Sequence, residues 1–433
     1  QGVWGGDCET DGSISLSLNQ DAVCTITNDD ISPTLKVVKI IINDNGGPVN
    51  DQNAFVLRVD GDIVLHDVIN TFNAGTYNVS EDGLSGYQAG SWGGDCDVSG
   101  NVTLELAQNA VCTITNDDIS PTITIVKSII NDDGGLVSDA NVFGLRVDGI
   151  SVLDREVNNF DVGAHIVSED GLAGYQASVW SGDCAEDGSI TLELDQDAIC
   201  MITNDDISPT LKVVKTIIND NGGTINNENA FALRVDGNIV QHNAINEFSA
   251  GNHMVSEDGL TEYAPGFWGG DCNPDGSITL ALDQDATCTI SNDDIAPALT
   301  IIKTVVNDNG GLVTDPNAFG LRVDDGSVLH YTRNNFNVGD HVASEDGLAG
   351  YQAGEWSGDC DAGGNINLVL NQDAFCYITN DDISPTLTVV NNIINDNGGT
   401  VLDENAFGLK VNGATVLHNA ANEFDAGDHQ VSL

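Results

Sequence analysis

Short runs of alternating or β-branched apolar residues, separated by Gly, Asn and Asp, fill the whole chain. Between residues 31 and 118, the runs 34–42 and 110–115 are rich in β-branched residues, and 54–59 alternates up to an Asp-Gly turn signal. The other short runs predicted to form strands are 63–65, 75–79, 87–92 and 101–106. Seven or eight short strands between tight turns are typical of a two-sheet sandwich. No segment has the 3.6-residue period of a helix, so the sequence predicts an all-β protein.

The same pattern recurs with a period of 88 residues and without any insertion. Each copy has one tryptophan at the same position: Trp4, Trp92, Trp180, Trp268 and Trp356. A fixed period indicates tandem domains, and loops of constant length suggest that each unit also fits its neighbours. We therefore expect complete repeats at 31–118, 119–206, 207–294 and 295–382, with the C-terminal part of a repeat at 1–30 and the N-terminal part of another at 383–433.

The ten cysteines form one pair per repeat, with a spacing of 16 and no Cys-x-x-Cys metal motif. The simplest connectivity is a disulfide within each repeat, and the alternative is buried free thiols. Closing a loop of about 15 residues is worth roughly 3 kcal/mol. Disulfides indicate an extracellular location. The predicted pairs are Cys8 with Cys24, Cys96 with Cys112, Cys184 with Cys200, Cys272 with Cys288, and Cys360 with Cys376.

The charge balance narrows the range of partners. Lys and Arg number 13 against 67 Asp and Glu, which gives a net charge of −54. Nucleic acids and anionic membrane surfaces are polyanions, so neither is an expected partner. No stretch is apolar enough for a membrane span, and we expect no membrane insertion in this segment.

An ordered set of motifs in each repeat resembles a known family. In the first complete repeat these motifs are Phe55-x-Leu-x-Val, Gly75-x-Tyr-x-Val-x-Glu81, Gly86-Tyr87 and a closing Thr-Ile-Thr-Asn116. The set resembles the prealbumin-like (Cna-B or SpaA type) repeats of bacterial surface proteins. The resemblance covers essentially the whole chain. It implies a tandem array of Ig-like or prealbumin-like β-sandwich domains of the kind used in stalks, pili and adhesins.

The resemblance also implies a covalent cross-link. In such repeats a lysine of the first strand and an asparagine of the last strand join in an isopeptide bond, and a buried acid moves the proton. This chemistry needs a desolvated lysine and a neutral carboxylic acid. The alternative is a half-exposed lysine, a turn glutamate and a turn asparagine. The matching residues are Lys39, Glu81 and Asn116; Lys127, Glu169 and Asn204; Lys215, Glu257 and Asn292; and Lys303, Glu345 and Asn380.

Acidic residues gather where strands are predicted to end. We expect an Asn-Asp-Asp turn after the last strand to lie beside the Asn43-Asp44-Asn45 turn, and the Asp60-Gly-Asp62 turn to face the preceding repeat. Such oxygen-rich junctions can hold structural Ca²⁺, which takes about six to eight oxygen ligands. The alternatives are ordinary tight turns and a surface adapted to high salt. The candidate ligands are Asp29, Asp30, Asp60, Asp62, Asp117, Asp118, Asp205, Asp206, Asp293, Asp294, Asp381 and Asp382.

No catalytic constellation is evident. The eight histidines occupy two positions of the repeat without a paired nucleophile, and we interpret them as exposed strand residues. We therefore expect no enzyme and no required cofactor. Two N-glycosylation sequons, at Asn78 and Asn101, occur in one repeat only.

These observations predict a structural subunit of an extracellular filament, stalk or pilus-like fibre. The competing interpretation is a cell-surface adhesin or glycan-binding repeat protein. The parts 1–30 and 383–433 carry complementary strands of one sandwich. We expect residues 1–30 of one copy to complete 383–433 of the next in a head-to-tail polymer, or else a longer array of which this chain is a slice.

Overall fold

A computed structural model describes all residues of the chain, from Gln1 to Leu433. The chain divides into two compact units, Gln1–Ser208 and Pro209–Leu433. In both units almost every regular element is a strand, and the sheets repeat with the period read from the sequence. The predicted all-β class and tandem sandwich architecture are therefore confirmed. No helix in the protein has the length and apolar character needed to cross a membrane.

One sheet of the first complete repeat is antiparallel throughout. Its four strands lie in the order Asn101–Leu104, Gly75–Glu81, Leu57–Val59 and Asp62–Ile63. The alternation of side chains along these strands turns Leu57, Val59 and Val79 into the sandwich and leaves their neighbours nearer to solvent. Glu81, at the end of its strand, is also held close to the core, because its side chain is only 6% exposed.

The second sheet contains the first and the last strand of the repeat side by side. Its order is Ile69–Thr71, Thr34–Ile42, Asn109–Asp118 and Tyr87–Ala89, and Gly93–Gly94 also pairs with Asn109–Asp118. Thr34–Ile42 and Asn109–Asp118 run parallel, with Ile41 opposite Asn116. The chain therefore enters and leaves each repeat through two neighbouring strands.

The core lies between the two sheets and contains the disulfide. Leu35, Val37 and Cys112 are fully buried, and Trp92 packs against this cluster from the edge. The equivalent clusters of the other complete repeats are formed largely by residues at the same positions of the repeat. The C-terminal part of the chain has a much smaller core, in which only Leu409, Val411 and Val416 are buried.

Two local predictions are wrong. The predicted strand 54–59 begins instead with a 3-10 turn, Gln52–Phe55, because the Asp51 carboxylate accepts a hydrogen bond from the backbone of Asn53 and caps it. The predicted Asn-Asp-Asp turn is the end of the last strand, which continues to Asp118. Asp118 points inwards and its carboxylate is held by backbone N–H groups from a distant loop.

The elements of the first unit continue the same plan. It begins with the paired strands Trp4–Gly6 and Cys24–Ile26. After the first complete repeat, the second consists of Thr122–Ile130, the 3-10 turn Ala140–Phe143, Leu145–Val147, Ile150–Ser151, Val157–Asn159, Gly163–Glu169, Tyr175–Ala177, Ser181–Gly182, Ser189–Leu192 and Asp197–Asp206.

The second unit holds two complete repeats and a partial one. The first consists of Thr210–Ile218, the 3-10 turn Glu228–Phe231, Leu233–Val235, Asn238–Ile239, Ile245–Glu247, Gly251–Glu257, Tyr263–Pro265, Gly269–Gly270, Ser277–Leu280 and Asp285–Asp294. The second consists of Ala298–Val306, the 3-10 turn Pro316–Phe319, Leu321–Val323, Gly326–Ser327, Arg333–Asn335, Gly339–Glu345, Tyr351–Ala353, Ser357–Gly358, Asn365–Leu368 and Asp373–Asp382. The partial repeat has Thr386–Thr388, the 3-10 turn Glu404–Phe407, Lys410–Val411, Ala414–Thr415, Ala421–Glu423 and Val431–Ser432.

Candidate functional site

A lysine occupies a core position in the first strand of every complete repeat. The alternation that buries Leu35 and Val37 also turns Lys39 inwards, and Lys39 is 2% exposed. A buried ammonium group is costly unless it is paired and hydrogen-bonded. A core lysine at a fixed position therefore calls for a matching acid in the same core. The equivalent lysines, Lys127, Lys215 and Lys303, are equally buried.

The matching acid comes from the opposite sheet. Lys39 Nζ lies 2.5 Å from Glu81 Oε2, and both side chains are almost fully buried. The pair therefore joins the two sheets across the core. The same ion pair joins Lys127 to Glu169, Lys215 to Glu257 and Lys303 to Glu345.

The asparagine of the last strand completes the group. Asn204 donates from Nδ2 to Glu169 Oε1 at 2.8 Å, and its Oδ1 contacts Lys127 Nζ. Asn292 and Asn380 donate to Glu257 and Glu345 in the same way, and Lys303 Nζ also contacts Asn380 Oδ1. In these repeats the structure thus brings together the lysine, the acid and the amide that the family resemblance implied for an isopeptide bond.

The first complete repeat differs in one respect. Asn116 is fully buried, but neither atom of its amide group has a hydrogen-bond partner, and Glu81 Oε1 also has none. Unpaired buried polar atoms are rare in folded proteins. The lysine and glutamate of this repeat are hydrogen-bonded to each other, but the asparagine shares the core without the hydrogen bond to glutamate found in the other repeats.

The surroundings of the lysine favour its neutral form. Burial lowers the pKa of Lys39, Lys127, Lys215 and Lys303, and the hydrogen bond to the paired glutamate offsets only part of this effect. Lys39 Nζ also lies 4.1 Å from the centre of the Phe55 ring. A lysine with a lowered pKa is a better nucleophile at neutral pH, since more of it is the free amine.

A disulfide staples the last strand close to this site. Cys96 and Cys112 are bonded, and Cys112 lies in the same strand as Asn116. All ten cysteines are paired within their own copies, with no free thiol. The other pairs are Cys8–Cys24, Cys184–Cys200, Cys272–Cys288 and Cys360–Cys376.

The acidic residues form a second cluster, at the end of the last strand. Carboxylate oxygens of Asp44, Asp117 and Asp118 lie within 4.8 Å of one another. Burial and the nearby charges of Asp117 and Asp118 raise the pKa of Asp44. The equivalent groups are Asp132, Asp205 and Asp206; Asp220, Asp293 and Asp294; and Asp308, Asp381 and Asp382.

Four of the candidate calcium ligands belong to no such group: Asp29, Asp30, Asp60 and Asp62. Asp60 instead stabilises its own hairpin, because its carboxylate accepts a hydrogen bond from the backbone of Asn78 at 2.7 Å. The backbone of Asp60 has a positive φ of 50°, which suits this tight turn. The clusters thus combine the end of the last strand with the loop after the first strand, and not with the Asp60 hairpin.

One set of histidines is not exposed, contrary to the interpretation from the sequence. The side chains of His165, His253 and His341 are only 10 to 11% exposed, and each ring is hydrogen-bonded on both sides. The sequence contained a signal that could have revealed this role: the same phase of the repeat carries an aspartate 17 residues earlier, such as Asp148 before His165.

Tandem two-sheet sandwiches, each with a core Lys–Glu–Asn group, define a class of repeat protein. The family model of the prealbumin-like fold domain (SpaA type) matches residues 30–114, 118–202, 206–290 and 294–378. These four matches span more than half of the chain, so the chain belongs to this family. The expected resemblance is confirmed.

The solved structures that match this chain include three bacterial proteins. The Bacillus anthracis TIE protein is 12% identical, with a TM-score of 0.39, and the match covers 82% of this chain and 75% of that one. Two B repeats of the Staphylococcus aureus collagen-binding protein are 14% identical, with a TM-score of 0.16 and coverage of 82% and 100%. The pilus adhesin SpaC of Lactobacillus rhamnosus GG is 13% identical, with a TM-score of 0.20 and coverage of 64% and 45%. A search of curated proteins found no match. Because all three scores are low, the family match alone carries the assignment.

Proposed function

We propose that this chain is a non-catalytic structural segment of an extracellular surface or pilus-type protein, in which an isopeptide bond closes each complete repeat. The observation that carries the proposal is the buried set of lysine, glutamate and asparagine in all four complete repeats. Membership of the prealbumin-like family and one disulfide per repeat support an extracellular structural role.

The bond forms without any external reagent. The neutral Nζ of Lys127 attacks Cγ of Asn204, and the bond from Cγ to Nδ2 breaks. Glu169 contacts both nitrogen atoms, so it can accept a proton from Nζ and deliver one to the departing nitrogen. The products are an amide between the two side chains and one molecule of ammonia. Glu169 ends in its starting protonation state, and no atom is oxidised or reduced.

The position of this bond suits a load-bearing role. In the first complete repeat it would join Lys39 to Asn116, close to the points where the chain enters and leaves the sandwich. A force applied to the flanking chain would pass through the covalent bond. Residues 40–115 would then carry no load, and neither would the Cys96–Cys112 disulfide among them.

Peptide mapping tests the proposal. Digestion of the reduced protein should yield branched peptides in which Lys127 is joined to Asn204, with equivalent branches for the other three complete repeats. Each branched peptide should lack the mass of one ammonia. Recovery of Lys127 and Asn204 only in separate linear peptides would overturn the proposal.

We propose in addition that the acidic clusters bind Ca²⁺. Three convergent carboxylates, such as Asp44, Asp117 and Asp118, repel one another, and a divalent cation would relieve this repulsion. A chelator should therefore lower the melting temperature and increase proteolysis near Asp118, Asp206 and Asp294. The effect should be largest in dilute buffer, where charges are least screened.

The control for this experiment is the same chelator already saturated with calcium. Unchanged melting and cleavage in dilute buffer would show that the carboxylates only fix the loops. The backbone N–H groups of Asn45 and Gly47 donate hydrogen bonds to Asp118, and these bonds already hold the loop in place.

A further proposal concerns the partial repeat 383–433. Its first strand, Thr386–Thr388, pairs only with Ala421–Glu423, whereas the equivalent strand of a complete repeat also pairs with a last strand. An unpaired edge of this kind accepts another strand. We propose that this strand is supplied by residues 1–30 of another copy or by further repeats of the same chain. A denaturing gel of the assembled protein tests this: complementation predicts separate monomers of 45.4 kDa, and one larger covalent chain would contradict it.

A further inference from the structure

Within each of the two units, successive repeats share a recurrent backbone hydrogen bond. Val162 N–H donates to the carbonyl of Asn45 at 2.9 Å, which joins the first two complete repeats. In the second unit, Val338 N–H donates to Asn221 at 2.9 Å and Ala426 N–H donates to Asn309 at 2.7 Å. The same two positions of the repeat thus meet at three joints. One lies on a loop that supplies the accepting carbonyl, which we call the acceptor loop, and the other on a turn that supplies the N–H, which we call the donor turn.

The acceptor loop is Asn45-Gly46-Gly47 in the first complete repeat. The buried carboxylate of Asp118 accepts hydrogen bonds from the backbone of Asn45 and Gly47, so the last strand holds the loop in place. Burial alone would raise the pKa of Asp118, but hydrogen bonds from the Asn45 side chain and from the backbone of Gly47 and Asn45 outweigh it and lower the pKa. Gly46 has a φ of +85°, and a Cβ there would lie 3.3 Å from Val162 N, so the close approach favours glycine.

The donor turn, residues 160–163, is hydrogen-bonded to a histidine of the same repeat. His165 Nε2 lies 2.8 Å from the carbonyl oxygen of Asp161, and Nδ1 lies 2.7 Å from Asp148 Oδ2. The ring also packs on Phe160. Both hydrogen-bond partners of the ring are acceptors, so both ring nitrogens must carry hydrogen. Only the protonated ring, the imidazolium, meets this requirement. His341 has the same arrangement with Asp324 and the carbonyl of Asn337.

The charged groups around His165 are all acidic. Asp148 and Asp161 flank the ring. Asp183 lies beside His165 and Asp148 in the lining of a surface cavity. Burial alone would lower the pKa of His165, but the hydrogen bonds to Asp148 and Asp161 outweigh it, so the pKa is raised. The pKa of His341 is raised for the same reasons, with Asp324 and Asp340 nearby.

The last joint has a different arrangement of the same parts. His429 contacts the carbonyl of Asp425 through Nε2, but its Nδ1 faces Nδ2 of Asn412 at 2.7 Å. Here Asn412 donates and Nδ1 accepts, so a neutral ring satisfies both contacts. In the first complete repeat, Tyr77 takes the place of the histidine, and its hydroxyl donates to the carbonyl of Asn73.

We propose that the acceptor loop and the donor turn are a dedicated docking surface, whose partner is the neighbouring repeat of the same chain, and that protonation of His165 and His341 tightens it. The proposal is independent of the isopeptide bond, because none of these residues belongs to the Lys–Glu–Asn group.

The sign of the pH effect follows from the raised pKa. The stabilisation by the imidazolium is fully present below the pKa of a free histidine and is lost as the pH rises through the higher pKa of the folded protein. The joints at Val162 and Val338 should therefore loosen with rising pH, whereas the joint at Ala426 should not.

Hydrogen exchange at single amides in the full chain tests this. After correction for the intrinsic pH dependence of exchange, protection of Val162 and Val338 should fall roughly tenfold across the histidine titration, the loss expected for one hydrogen bond to a charged group. Protection of Ala426 should stay constant. An unprotected Val162 at low pH would overturn the docking surface, and pH-independent protection of Val162 would overturn the role of the histidine.

The variant Asp148→Asn provides a matched test, since it recreates the Asn412–His429 pair. Asn412 Oδ1 accepts from the backbone of Gln430, as Asp148 Oδ1 accepts from Ile166, so the backbone contact should be kept. In this variant we expect the Val162 amide to stay protected from exchange, but its protection should no longer depend on pH. Protection of the Val338 amide should depend on pH as in the parent protein. A variant in which Val162 still responds to pH as in the parent protein would contradict the proposal.

Discussion

Replacement of Glu169 by glutamine is expected to leave the second complete repeat without its isopeptide bond. Glutamine has nearly the same shape, but it cannot accept the proton from Lys127. The lost bond would join residues 77 apart in the sequence, and a covalent loop of this size contributes on the order of 4 kcal/mol in the chain-entropy model. The variant also leaves the buried lysine without its counter-charge, which adds to the loss.

Stretching of single molecules measures this effect directly. The parent chain should show no unfolding of its complete repeats, whereas Glu169→Gln should add one unfolding event. Glu156→Gln is the matched control, because Glu156 is exposed and lies in the same repeat. If Glu169→Gln resisted force like the parent, the bond would not carry the load.

Removal of the disulfide from the same repeat should give a large effect of a different kind. In the double variant Cys184→Ala and Cys200→Ala, the lost loop spans 16 positions, so the free energy of unfolding should fall by roughly 3 kcal/mol. The repeat should therefore unfold at lower urea concentration. Under force, however, it should behave like the parent chain, because the disulfide lies within the segment that the isopeptide bond shields.

Hydrogen exchange in urea, followed by mass spectrometry, assigns the destabilisation to this repeat. The other complete repeats retain their disulfides and serve as internal controls. If the double variant unfolded at the same urea concentration as the parent, the disulfide would not stabilise the repeat. If the second complete repeat of the double variant extended under force, the position assigned to the isopeptide bond would be wrong.

The repeat and the sandwich class were readable from the sequence, because both depend on short-range patterns of period 2 and on a fixed spacing. The core position of Lys39 was not. Alternation places Lys39 on the face of Leu35 and Val37, but a strand lysine ordinarily points to solvent. In the second complete repeat, only the register of two strands far apart in sequence brings Ile129 opposite Asn204 and so places Lys127 in contact with that amide.

Two of the errors share a physical cause, which is a hydrogen-bond partner that is remote in the chain. Asp118 resembled a turn residue because its hydrogen-bond donors, Asn45 and Gly47, precede it by more than 70 positions. His165 resembled an exposed strand residue because its partner Asp148 lies on another hairpin. The 3-10 turn at Gln52–Phe55 is the exception: its cap at Asp51 is local, and the Asp-x-Asn pattern could have indicated it.

The intact mass of the purified and reduced chain tests the central claim most directly. With every disulfide reduced, each isopeptide bond leaves the protein lighter by one ammonia than its sequence requires. Since four complete repeats carry the buried lysine, glutamate and asparagine, the account predicts a deficit of four ammonia molecules. A mass equal to that of the reduced, uncross-linked sequence would contradict it.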